Sequence, residues 1–165
     1  MKMRLYATAL FVLSSLTAGC FVDSDDDEGT GIRTAEFVFS MDDASINGDV
    51  ASAQYAVQSV TPAVVEHGAV LAYFREQGTW TAMPFTFAEE SPDLPAVDYT
   101  ITLGYGYDDG IVEVFYEAST PAAPLEAQPD RVIKVVILAD LGFVRAANVD
   151  LSDYEAVRTH FGLVE

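Results

Sequence analysis

From residue 34 onward, apolar and polar side chains alternate in short runs separated by turn residues. That is the period-2 signature of half-buried strands. Glu36-Phe37-Val38-Phe39 opens the series, and residues 51–60 follow, with Tyr55, Val57 and Ser59 on one side and Gln54 and Gln58 on the other. Residues 69–75 (AVLAYFR) are apolar on both faces and read as a central strand. A strand over 80–87 comes after the Gln77-Gly78 turn. Residues 98–105 set Tyr99, Ile101, Leu103 and Tyr105 against Thr100, Thr102 and Gly104. Asp109-Gly110 signals a hairpin, and 111–117 returns with Val112, Val114 and Tyr116 inward and Glu113 and Glu117 outward. Residues 132–139 are the most apolar strand. The pattern predicts a mainly β domain over 34–165, an antiparallel β-sandwich of Ig-like or jelly-roll-like type.

Two stretches break the period. Thr61 is placed to cap a short helical piece with Pro62 at its first position, ending at Gly68. Residues 152–162 are the one clear α-helix: Ser152-Asp153-Tyr154-Glu155 matches a capping box, and Tyr154, Val157 and Phe161 make one apolar face. Gly162 stops the helix, which is expected to pack on a sheet or close one end of the sandwich. Residues 88–97, with Pro92 and Pro95, and the Pro- and Ala-rich 119–130 read as connections.

The first 19 residues follow a different grammar. Lys2 and Arg4 precede an apolar run over 5–16, too short for the roughly 20 residues a bilayer span needs, and small Thr17-Ala18-Gly19 lead to Cys20. This is signal-peptide grammar. The ending Leu16-Thr17-Ala18-Gly19-Cys20 resembles a bacterial lipobox, with Thr17 where the commonest version has Leu. The resemblance implies cleavage before Cys20, a diacylglyceryl group on its thiol, and a membrane partner reached through that lipid. Residues 21–31 (FVDSDDDEGTG) are charged and Gly-containing, so 20–33 is expected to be a disordered acidic tether. Its run Ser24-Asp25-Asp26-Asp27-Glu28 resembles the export signals of surface-exposed Bacteroidota lipoproteins, and Phe21 fits outer-membrane sorting under the enterobacterial rule. Asp23, Asp25, Asp27 and Gly29 do not make an EF-hand, because the glycine is one place late and Thr34 stands where the bidentate Glu belongs.

Across residues 57–163 the order of features resembles an uncharacterised lipoprotein domain of Bacteroidota. The matching pieces are TPAVVEHG from Thr61, VLAYFRE, Trp80 with Met83-Pro84, VIKVVILA, and Asp153-Tyr154 before Ala156-Val157. Some members of that family carry collagen-like repeats where this chain has its acidic run. The resemblance implies architecture and location, and no activity.

Charge and chemistry narrow the picture further. The chain has 26 acidic residues against 8 basic ones; without Lys2 and Arg4, six bases remain and the net charge is near −20. Such a surface repels phosphates and excludes nucleic acid as a partner. With Cys20 the single cysteine, neither an internal disulfide nor a multi-cysteine metal site is available. His67 and His160 read as surface residues, and the nucleophile, zinc and phosphate-binding motifs are absent. The expectation is a protein without a cofactor and without catalysis: a membrane-anchored binding or structural module of the cell envelope, whose partner is a protein or a glycan. Two alternatives stay open. Paired carboxylates, Asp42-Asp43, Glu89-Glu90 and Asp108-Asp109, would serve an envelope or polysaccharide hydrolase, and converging Asp42, Asp43, Asp108 and Asp109 would hold calcium in an adhesion-type domain. Trp80, Tyr107 and Phe115 are the candidate ligand-binding aromatics, the last two turned outward by alternation.

Overall fold

Alternation along most of the strands gathers one side of each into a common core. The computed structural model describes the backbone of Val22–Ser24 and, in full, residues 31–89, 99–140, 142 and 148–163. Among these residues two five-stranded antiparallel sheets form a sandwich. The first sheet runs, in spatial order, β1 (Val22–Ser24), β2 (Ile32–Phe39), β10 (Arg131–Leu138), β5 (Ala69–Glu76) and β6 (Thr79–Ala82). The second runs β3 (Ser45–Asn47), β4 (Val50–Ala56), β9 (Ile111–Ala118), β8 (Tyr99–Asp108) and β7 (Phe85–Glu89). Between them lie Phe37 and Phe39 of β2, Phe74 of β5 and Ile133, Val135 and Ile137 of β10, packed against Ile101 and Leu103 of β8 and Val112, Val114 and Tyr116 of β9.

The first sheet is buried on its other face as well. Ile32, Tyr73, Val136 and Leu138 form a second apolar cluster with Tyr154, Val157 and Phe161 of the C-terminal helix α2 (Tyr154–Phe161). Two-sided burial is why β5 and β10 carry nearly unbroken apolar runs. The helix therefore lies on a sheet face, the first of the two expected positions.

Several expectations change. The single strand over 80–87 is two strands: β6 stays in the first sheet, β7 joins the second, and the chain crosses at the cis Met83–Pro84 bond. Proline has no N–H for a ladder, so the run is interrupted there. The strand over 51–60 stops at Ala56; Val57 and Val60 are buried beyond it, and Val60 O and Val57 N bond to Gly110 instead of a neighbouring strand. The helix cap is Asp153, one residue later than the capping box places it. Asp150 takes both the N–H and the hydroxyl of Ser152 (2.9 and 2.7 Å), so the Asp153 carboxylate accepts from Glu155 N and Ala156 N while Glu155 pairs with Arg158.

Other signals hold. Thr61 Oγ1 accepts from Val64 N at the start of α1 (Pro62–His67), with Pro62 in the first turn. Gly68 is required after it because a Cβ there would meet the Leu138 carbonyl oxygen. Gly162 ends α2 at φ 68°, a conformation that glycine adopts without a Cβ penalty. Within the segment expected to be a tether, Val22–Ser24 pairs with β2, and β2 begins at Ile32, two residues before the expected domain start.

Two substitutions check the docking of α2. Asp153→Ala should lower stability in urea by about 1 kcal/mol, with Ser152→Ala costing less. Val157→Ala, at a fully buried position, should cost roughly 1–3 kcal/mol with an unchanged denaturant slope.

Candidate functional site

The densest polar chemistry lies where β7 meets β8 and the chain enters β10. Glu89, the last residue of β7, is opposite Tyr99, the first of β8. The Tyr99 hydroxyl donates to Glu89 Oε2 at 3.2 Å. Gln128 Nε2 donates to both Glu89 oxygens, at 3.3 and 3.2 Å. One residue on, the Pro129 carbonyl accepts from Tyr116 Oη at 3.1 Å, and Arg131 Nε donates to the same hydroxyl at 3.3 Å. Arg131 Nη1 then reaches Glu76 at 3.2 Å. Gln128 is 6% exposed, and its Oε1 is buried without a protein partner. Burial, and then the Glu89 carboxylate, push the Tyr99 hydroxyl above the ordinary tyrosine range. Burial raises Tyr116 too, against the opposing pull of Arg131. Burial acts to lower Arg131, but Tyr116 and Glu76 outweigh it and hold the guanidinium above its ordinary value. These bonds tie β5, β7, β8, β9 and β10 together, and the polar atoms that make them are committed to one another.

A second cluster lies beneath α2. Lys134 projects from β10 with its Nζ 4.6 Å from the Trp80 ring centre and 5.3 Å from that of Tyr154, and pairs with Glu36 at 3.2 Å. Tyr73 meets Tyr154 edge-on at 5.2 Å and donates to the Leu151 carbonyl at 2.6 Å. An ammonium group held on two ring faces joins the helix to the sheet through charge as well as apolar contact.

The structure separates the three candidate aromatics. Trp80 is on the outer face of the first sheet, in the Lys134 cluster. Phe115 is on the outer face of the second sheet, where its ring fills the space a Cβ of Gly104 would need. Tyr107 is 36% exposed near the end of β8, on the same side of the strand as Leu103 and Tyr105. They make no common binding face. Asp42 and Asp43 occupy the turn after β2, and Asp108 and Asp109 the β8–β9 hairpin, where Asp108 Oδ1 accepts from Asp109 N at 2.8 Å. Among the described residues, His, Cys, Asp and Glu form no group of three or more arranged to hold a metal ion. His67 is exposed beside Glu66, and His160 is exposed with its ring against Phe161. Cys20, Asp25, Asp27 and Glu90 lie outside the described residues.

Neither the Glu89–Gln128 pair nor the Lys134 cluster was anticipated. The first joins residues 39 apart through an irregular connection, which no periodicity reveals. The second had a signal: the one lysine after residue 2 stands inside the most apolar strand. No family model, no curated protein and no solved structure matches the chain.

Burial also raises Tyr55 to about 12, and raises Tyr73 and Tyr105. A tyrosine raised in the folded state contributes stability that is complete below its unfolded value near 10 and is lost as pH climbs through the folded value. Absorbance titration should therefore show these five of the eight tyrosines ionising above pH 10, together with loss of near-UV dichroism. An early, reversible step for all eight at pH 10 without unfolding would contradict that burial.

Proposed function

We propose that this chain is a lipoprotein precursor. Residues 1–19 are removed, Cys20 takes the lipid, and the sandwich is a non-catalytic binding or structural module held at the outer membrane of the cell envelope. The observation that carries the reading is the order basic residues, short apolar run, Thr17-Ala18-Gly19, Cys20, with that cysteine the single one in the chain. Among the described residues no helix is long and apolar enough to cross a membrane, which says nothing of strands. Two or three acyl chains give the stable attachment that one chain does not. The acidic run after Cys20 supports an outward-facing position. The mutual engagement of Glu89, Tyr99, Tyr116 and Arg131 supports a structural use of those groups rather than a catalytic one.

Expression in a host that processes lipoproteins tests this. The wild-type protein should enter the detergent phase of a cloud-point separation with the mass of an acylated chain beginning at Cys20. Cys20→Ser should stay aqueous. Wild-type protein that partitions with the variant would end the proposal.

A further inference from the structure

The direction of β1 bears on how such an anchor would hold the domain. β1 is antiparallel to β2, with Val22 opposite Glu36 and Ser24 opposite Thr34. Moving from Ser24 back toward the start of the chain therefore means moving along β2 toward Phe39. One residue separates Val22 from Cys20, and two trans peptide units limit their Cα atoms to about 7 Å. The chain therefore leaves β1 at Val22, opposite Glu36, heading along β2 toward the end where Phe39 pairs with Arg131, and Cys20 follows within that short link. A free segment from Cys20 to Ile32 would do the opposite. It would attach at the Ile32 end, where β2 pairs with Leu138, and allow a reach of roughly 40 Å. The two ends of β2 are roughly 24 Å apart over its 8 residues, so the two attachments orient the domain differently.

We propose that β1 turns the anchor back along the first sheet, so that the lipid surface faces the Phe39–Arg131 end and α1, at the Leu138 end, points away from it. The inference rests on the lipidation of Cys20. The end nearest the bilayer carries Asp42 and Asp43, both exposed, and pairs exposed Val38 with β10. Carboxylates do not adsorb to an anionic lipid surface. The domain is held close by the short covalent link and not by its own surface.

Two measurements test this and separate it from the lipid reading. In Cys20→Ser protein, which needs no membrane, the added pair Ser24→Cys with Thr34→Cys should form a disulfide on mild oxidation. Directly opposed antiparallel residues lie within the Cα range that a disulfide spans. Ser24→Cys with Val38→Cys should not. In the lipidated protein, a fluorophore on Asp42→Cys or on Glu66→Cys is the sole thiol label. In vesicles of phosphatidylethanolamine and phosphatidylglycerol with an acceptor dye on the headgroup, energy transfer should be greater from position 42 than from position 66. Equal or greater transfer from 66, or no disulfide between 24 and 34, overturns the orientation while leaving the anchor. A disulfide in a protein whose wild type does not enter vesicles removes the lipid reading, and the orientation with it, but leaves β1 in place.

Discussion

The first sheet has to be covered on both faces, and most of the structure follows from that requirement. β5 and β10 carry apolar side chains at consecutive positions: Ala72, Tyr73 and Phe74 in one, Val135 through Leu138 in the other. One set fills the space against the second sheet, and the other would meet water without α2. Exposure of that surface would cost roughly 25 cal/mol for every Å² of apolar area. The helix is thus part of the fold's hydrophobic economy and not an appendage, and the cap at Asp153 and the left-handed Gly162 set its length to suit the sheet beneath.

Lys134 is placed inside that covered face, which raises the question of how a charge is tolerated there. Three neighbours answer it. Glu36, on the adjacent strand, supplies the counter-charge, and the ring faces of Trp80 and Tyr154 replace part of the lost hydration. Trp80 comes from β6, Tyr154 from α2 and Glu36 from β2. A single side chain therefore ties one edge region of the sheet, the helix and the sheet interior to one arrangement. Tyr116, Arg131, Gln128 and Glu89 do the equivalent work where the second sheet meets the entry to β10.

The outer face of the second sheet is built differently. It carries Thr86 and Thr102, whose hydroxyls bond at 2.8 Å, and Phe115 laid across Gly104. Alternation is clean in β8 and β9 because only one of their faces meets the core. The same physics that made these strands easy to recognise also explains why the candidate aromatics dispersed. Parity assigns a residue to a face, but it does not say which strands share that face.

Local sequence determined the elements whose rules are local. The Asp109-Gly110 hairpin, the Thr61-Pro62 start of α1, the apolar stripe of α2 and the inward set Val112, Val114 and Tyr116 all follow from spacing within one segment. Tertiary structure decided whatever depends on a distant partner. The run through Met83-Pro84 divides because its halves find different sheets. Ser152 yields the cap to Asp153 because Asp150 claims it first. Glu89 meets Gln128, and Lys134 meets Trp80 and Tyr154, only once the strands between them are paired. Spacing reports which side of an element is apolar, since that is fixed by backbone period. It cannot report which surfaces come together, since that is fixed by the packing of all of them at once.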